Sequence, residues 1–470
     1  MRIASLLAIA LTLTLAAGCG DDGNSATNNG ANNGQNNGAN NGTNNGDNNG
    51  DNNGANNGDN NGANNGDNNG DNNGANNGAN NGEACPDEPG LRPGSRSEMM
   101  GIYDSTRRKL VWFGGDDGVP VQCSPAPHVI DELWEYDTRC ASFTQIEIEE
   151  GPGARARGVA VHDTVRDRML VFGGRYRLEA RGPYTLYDEV WALKLGDYSW
   201  EKLTTEGQGP GKRVNSAAVY DPVNDEMLVY GGNSSTNGAS FNPLGDLWAL
   251  NLETNTWRRI PGAVPRPVDR LFHGAALDPD GRILYVYGGG DENAFFGPFF
   301  GDLWALNLDA NEWTKVYDPA AGDRGGPPPR IWATLAWDRE AQKLFLFGGH
   351  DDGQVGNQND TWSWDPAEMA WDEIVPPEQV NEQPNGFCDF PADFVIPNLD
   401  APDRRSAHLA VLDEDRGEWV VFGGKTDCGI IDDVWTFDLE REAWVRLIES
   451  TTGEACTRGE NPDACLAMCQ

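Results

Sequence analysis

Histidine is scarce in this chain of 470 residues: there are five, at positions 128, 162, 273, 350 and 408. So few leave little material for proton shuttling or imidazole ligation of a metal. Positive charge is also short, with 35 Lys and Arg against 73 Asp and Glu and a formal net charge of −38. That balance excludes nucleic acid, whose binding rests on cationic surface meeting phosphate, and it disfavours docking on anionic lipid. No apolar run reaches the ~18 residues that a membrane-spanning helix needs. No CxxC pair, HExxH, GxSxG or glycine-rich phosphate loop occurs. No carboxylate pair among the acids singles itself out as catalytic.

The first residues have the form of an export signal. Arg2 precedes a short apolar run, Ile3 to Ala17, which ends Leu15-Ala16-Ala17-Gly18-Cys19. Residues 1–18 therefore read as a cleaved signal peptide. Small residues followed directly by Cys resemble a bacterial lipobox, with Ala16 where that pattern prefers Leu. The resemblance implies a lipid on Cys19 and a protein anchored on a bacterial cell envelope, at the outer membrane or cell surface. Eight other cysteines remain, at 85, 123, 140, 388, 428, 456, 465 and 469. An even number in an exported chain reads as disulfides.

Residues 19–82 are a tether. From Thr27 to Gly82 the chain is fourteen copies of x-Asn-Asn-Gly. Such a segment has nothing to bury, so folding could not offset the entropy of ordering it.

Residues 83–470 are a repeat. Apolar runs end in Gly-Gly at Gly114, Gly173, Gly231, Gly288, Gly348 and Gly423, as in MLVFGG and LFLFGG. Ten residues before each pair stands an Asp, and eight before that an Arg: Arg96, Arg155, Arg213, Arg270, Arg330 and Arg405. After each pair comes a Trp (134, 191, 248, 304, 362, 435) with an acid two residues before it and another aromatic nine residues beyond. The runs before Gly-Gly are β-branched and aromatic, hence buried strands. The Asp suits a hairpin tip, where its carboxylate accepts from backbone N–H groups. Each unit thus supplies four antiparallel strands, a to d, and six such units cover one another when packed radially. The expected fold is an all-β, six-bladed β-propeller. Gly-Gly, acid-x-Trp and the trailing aromatic resemble the kelch repeat, over nearly everything after about residue 92. The resemblance implies a partner-binding module. Because every unit is complete in a-b-c-d order, no strand is expected to be exchanged between the ends, and a disulfide from Cys85 to the C-terminal cysteines is the expected clasp.

Loop lengths assign the working face. Arg to Gly-Gly is always 18 residues, whereas Gly-Gly to Trp shrinks from 20 to 12 and the second aromatic to the next Arg grows from 12 to 34. The b–c and d–a loops emerge on one face, so all variation lies there, as expected of a binding face. The six Arg begin the innermost strands at that face. Repetition in every unit favours a structural belt with the six acids; the functional alternative is a cationic ring for an acidic ligand. Phe295, Phe296, Phe299 and Phe300 in one b–c loop form either a recognition patch or a group that folds over the neighbouring blade or plugs the channel. The loop from His350 to Asp360 gathers oxygens, and calcium is the one metal it suggests. Cys388 and Cys428, both on the variable face, are expected to bond. Trp332, Trp337, Trp364 and Trp419 are expected in strands of the core. The reading is a binding module for a protein or glycan; the alternative is an envelope enzyme resembling a sugar epimerase or a galactose oxidase, though the two His and two Tyr of the latter cannot be assembled here.

Overall fold

Each stretch from a repeat Arg to beyond the second aromatic folds as a four-stranded antiparallel sheet, because its a–b and c–d hairpins are short and its inner apolar runs are buried on both faces of the pleat. The computed structural model describes Cys85 and residues 90–451, apart from 118–128, 179–181, 239, 263, 295, 352–355, 382–394 and 428. The signal, the tether and the pair Cys388–Cys428 lie outside these residues. The propeller belongs to the second of two units, residues 85–470.

Blade one is Met100–Asp104, Lys109–Phe113, Leu133–Asp137 and Ser142–Ile146, paired in that order. The other innermost strands are Val159–Asp163, Ala217–Asp221, Gly274–Asp278, Thr334–Asp338 and Leu409–Asp413. They touch in ring order, and the last returns to the first, so six blades close a β-propeller. A short strand, Arg405–Ser406, also joins the sheets of blades five and six through Gln358 and Thr426.

The hairpin tips follow the sequence expectation. Asp104 Oδ1 accepts from the Arg107 N–H (3.0 Å), and Asp163, Asp221, Asp278 and Asp338 repeat the turn. Between blades, the aromatic before each Gly-Gly packs on the second aromatic of the next blade. The pairs are Phe113–Trp200, Phe172–Trp257, Tyr230–Trp313, Tyr287–Trp371, Phe347–Trp444 and, across the closure, Phe422–Phe143, at 4.6–6.0 Å between ring centres. Aromatic contacts of this kind fill the wedge left by radial packing.

Gly-Gly has a steric cause. The first glycine of each pair has φ between 62° and 72°. A Cβ there would stand 2.3–3.0 Å from the carbonyl oxygen of the next blade's Arg, for example 2.6 Å from Arg96 for Gly423. The second glycine donates its N–H to the same carbonyl: Gly115 to Arg155 (3.0 Å), Gly232 to Arg270 (3.0 Å) and Gly424 to Arg96 (2.9 Å). The ring is therefore closed by the same contact that joins every other pair of blades.

The expected clasp is corrected. Cys85 bonds Cys140, in the c–d turn of blade one, with Cα atoms 5.3 Å apart. It ties the entering chain to its own blade. The seam is held by ordinary inter-blade contacts and by Arg92, whose Nε meets Asp432 Oδ2 at 3.1 Å.

Replacing Gly423 by Ala should destabilise the propeller by about 2–4 kcal/mol, through strained φ and a carbonyl that cannot retreat. Gly94, which has open space around its Cα, is the control and should lose under about 1 kcal/mol. Urea unfolding followed by Trp fluorescence measures both.

Candidate functional site

The six repeat Arg are the first candidates, and the structure buries them at 0–3% exposure. Each meets the acid of its own blade. Arg213 reaches Asp246 at 2.8 and 3.1 Å, Arg270 reaches Asp302 at 2.9 and 3.2 Å, and Arg405 reaches Asp433 at 2.6 and 2.7 Å. Arg96–Glu132 (3.0 Å), Arg155–Glu189 (3.3 Å) and Arg330–Asp360 complete the set. The same acids accept the indole N–H two residues on, from Trp134, Trp191, Trp248, Trp304, Trp362 and Trp435 at 2.6–3.1 Å. In blades two to six the guanidinium also donates to the first-glycine carbonyl of its blade, as Arg270 does to Gly288 (2.9 Å). Arginine, acid, Trp and Gly-Gly are thus one hydrogen-bonded unit within a blade.

The surface of the axial mouth is built from a position that the sequence hides. Two residues after each Arg stand Glu98, Arg157, Asn215, Phe272, Trp332 and Ala407, all left-handed, with φ of 52–60°. The residue before each bridges to the strand beyond Gly-Gly, for example Ala156 to Arg175 and Ile331 to His350, so the chain must turn sharply into strand a. The left-handed residues also bond around the axis: Arg157 N–H donates to Glu98 O (3.0 Å), Asn215 to Arg157 (3.0 Å), Phe272 to Asn215 (3.1 Å), Trp332 to Phe272 (2.7 Å) and Glu98 to Ala407 (2.8 Å). A non-glycine residue in this conformation costs roughly 1 kcal/mol. The fold fixes the backbone six times, while the six side chains all differ.

These side chains line a cavity of about 160 Å³ at the end of the axis where the b–c and d–a loops emerge. One side is charged. Glu98 accepts from Arg157 at 2.5 Å through both oxygens, from Lys425 at 2.5 Å and from Arg175 at 3.4 Å. Burial alone would raise its pKa, but Arg157, Lys425 and Arg175 hold the carboxyl well below the usual range. Burial, with Arg157 beside it, takes Arg175 down to about 10. Lys425 is the most open of the three cations, its side chain 32% exposed. The other side is aromatic. Phe272 lies 4.3 Å from Trp332, and Arg157 stands 5.4 Å over both rings.

Phe299 joins Phe241 and Ala294 against Phe272 and Trp332, so this part of the Phe loop covers the mouth's aromatic side. Phe300 lies under the Arg270 guanidinium at 4.6 Å. Phe296 is 87% exposed, and Phe295 lies outside the described residues. Trp337, Trp364 and Trp419 are core as expected. Trp332 departs from expectation: it precedes its strand and half-emerges at the mouth, because its left-handed φ turns it off the sheet.

In the loop suggested for calcium, His350 and Asp351 extend strand b and Asn357 opens strand c. Their polar atoms face one another: His350 Nδ1 is 2.9 Å from Asn357 Oδ1, and Asn357 Nδ2 donates to Asp427 (3.1 Å). Among the described residues, no group of three or more His, Cys, Asp or Glu is placed to hold a metal ion. His273 and His408 flank the mouth, each three residues after its Arg. Burial, with Arg270 or Arg405 beside the ring, takes both down to about 3, so they are neutral.

The closed ring, the repeated Arg–acid–Trp unit and the glycine contacts define a kelch-type β-propeller. The chain belongs to the family described as the KLHDC2/KLHL20/DRC7 Kelch-repeats domain, whose model matches residues 102–323, 223–392 and 319–469. It is similar to the Leucine-zipper-like transcriptional regulator 1 homolog of Drosophila melanogaster, 26% identical over 66% of this chain and 27% of that protein. It is similar to Kelch domain-containing protein 10 of Homo sapiens, 25% identical over 63% of this chain and 61% of that protein. Host cell factor homolog hcf-1 of Caenorhabditis elegans is 27% identical over 51% of this chain and 29% of its own length. The chain thus spans less than two thirds of the length of each of these three relatives.

These relatives correct the reading of the N-terminus. They are kelch proteins of animals, one named for transcriptional regulation and one as a host cell factor. The likeness that identifies this chain is therefore not to bacterial lipoproteins, and it carries no lipid on Cys19, no membrane partner and no envelope localisation. The lipobox resemblance rested on five residues, Leu15 to Cys19, against a propeller match of several hundred.

Removing one side of the buried belt should be costly: Arg405→Ala should lose about 3–5 kcal/mol, because Asp433 stays buried without its counter-charge. Lys425→Ala at the mouth should lose about 1 kcal/mol or less. Denaturant midpoints compare the two. The neutral histidines set a pH dependence. Between about pH 6.5 and 3 the unfolded chain takes up protons that the folded rings refuse, so stability falls as pH is lowered through that window. His408→Gln should flatten the slope between pH 6.5 and 5, above the ordinary range of the carboxylates, as read by melting temperature.

Proposed function

We propose that this propeller is a protein-recognition module whose partner docks at the axial mouth, on the face of the b–c and d–a loops. One observation carries the reading. Six structurally equivalent left-handed positions hold Glu98, Arg157, Asn215, Phe272, Trp332 and Ala407, where glycine would cost the backbone nothing. Strain kept at a cavity rim, with diverse side chains on it, marks a surface selected for what it touches. The kelch relatives support it, being named as a regulator homolog, a host cell factor homolog and kelch-domain proteins.

The side chains at the mouth support a particular partner chemistry. Lys425 on one side of the mouth and the partly exposed Trp332 on the other offer a cation across from an aromatic shelf, which suits a segment with an acidic residue near an apolar one. Exposed Phe296 adds an apolar contact at the rim of the same face. The buried repeat Arg act through the blades that carry this rim.

Affinity capture with the full chain tests the reading. Trp332→Ala and Lys425→Glu should each reduce retention of a captured partner at least about 10-fold. Val223→Glu, at an exposed a–b turn on the opposite face, should not. Loss with Val223→Glu and retention by both mouth variants would move the partner to the other face and defeat the proposal.

A further inference from the structure

The wall between blades three and four is incomplete. In three d–a loops a glycine four residues before the blade Arg packs on the wedge Trp: Gly151 on Trp200, Gly209 on Trp257 and Gly326 on Trp371. The corresponding residue before Arg270 is Arg266. Its guanidinium turns to the Gly245 carbonyl (3.2 Å) and to Asp269 (2.9 Å). A cavity of about 110 Å³ is left beside Trp313, lined also by Tyr230, Arg259 and Asn311.

Tyr230 stands in that cavity as an exception. It is the residue before Gly-Gly, a place that four blades give to Phe. In blade four the place is taken by Tyr287, whose hydroxyl lies 3.0 and 2.9 Å from the carbonyls of Pro327 and Pro328. The Tyr230 hydroxyl is buried, the residue only 2% exposed, and it has no hydrogen-bond partner among the described residues. A buried hydroxyl left unsatisfied costs ~1–3 kcal/mol, so an added oxygen there needs a partner. The Asn311 carbonyl oxygen is also buried without one among the described residues. Arg259 is exposed at the same rim.

The chain shows elsewhere what this cradle takes. At the closing seam Arg92 occupies the place of Arg266, four residues before Arg96, and meets the carboxylate of Asp432 at 3.1 Å. Asp432 is the residue directly before the belt acid Asp433. The residue directly before the belt acid Asp246 is Gly245, so no carboxylate is supplied. Asp246 itself lines the cavity, but its charge is met by Arg213 at 2.8 Å. Asp269 answers one edge of Arg266 and leaves Arg259 to face the opening.

We propose that this inter-blade cavity is a binding site for a small organic carboxylate. The ligand's oxygens accept a hydrogen bond from the Tyr230 hydroxyl and pair with the Arg259 guanidinium, standing in for the carboxylate that Asp432 provides at the seam. The space admits a molecule of several non-hydrogen atoms, since a single water needs only ~10–15 Å³ by this measure. The site is separate from the axial mouth.

Titration of the full chain with succinate, followed by calorimetry and by the Trp313 environment in fluorescence, tests it. Saturable binding is expected. Tyr230→Phe installs the residue that four blades already use, so it folds, and it should weaken succinate about 5-fold or more. Arg259→Gln, at an exposed position, should weaken it about 10-fold or more. Tyr287→Phe and Lys425→Glu should leave the affinity unchanged. Absence of saturable succinate binding, binding of inorganic phosphate in preference to succinate, or equal affinity in wild type, Tyr230→Phe and Arg259→Gln would each overturn the proposal.

Discussion

A buried guanidinium at the start of each blade holds this propeller together. Its side chain clamps its own blade, reaching the acid that opens strand c and the carbonyl of the first glycine, as Arg405 does with Asp433 (2.6 Å) and Gly423 (3.1 Å). Its backbone carbonyl takes the second-glycine N–H of the blade before, as Arg96 does from Gly424 (2.9 Å). One residue thus joins two blades through two kinds of group. A charge at 0–3% exposure is tolerable because each guanidinium is paired with the acid of its own blade. Close packing of the next Arg carbonyl is also why no side chain fits at the first glycine.

Closure follows without an exchanged strand. The seam between blades six and one repeats the glycine contact and the aromatic wedge, with Phe422 against Phe143, and adds Arg92 on Asp432. The opposite face is laced between turns: Arg107 reaches Asp167 at 2.6 Å, Arg166 reaches Asp225 at 2.6 Å, and Arg339 reaches Asp280 at 2.5 Å. These pairs need fixed a–b turn geometry, which accounts for the constant spacing there. The b–c and d–a loops differ in length from blade to blade.

Both proposed sites are departures from repetition. At the mouth the backbone is repeated and the side chains are not, so a strained but uniform ring displays Glu98, Arg157, Asn215, Phe272, Trp332 and Ala407. Between blades three and four the opposite holds: a repeated aromatic gains a hydroxyl and a repeated glycine becomes Arg266, so the packing opens. Both places use a scaffold whose stability is secured elsewhere, in the buried clamps.

The chain alone determined the blade count, the strand order and the face that varies, because Arg, Asp, Gly-Gly and acid-x-Trp recur at fixed spacings that only one local geometry satisfies. The pairing of six Arg with six acids was legible for the same reason. Only the tertiary structure decided what lines the mouth. Those six positions share a φ and no chemistry, so nothing in their letters aligns them; the one available signal was their constant offset from the Arg. It also decided that Cys85 meets Cys140 and that Trp332 leaves the core, since both depend on where a chain segment turns in space. Local periodicity writes the blade into sequence, but which side chains converge on the axis is set by closing the ring.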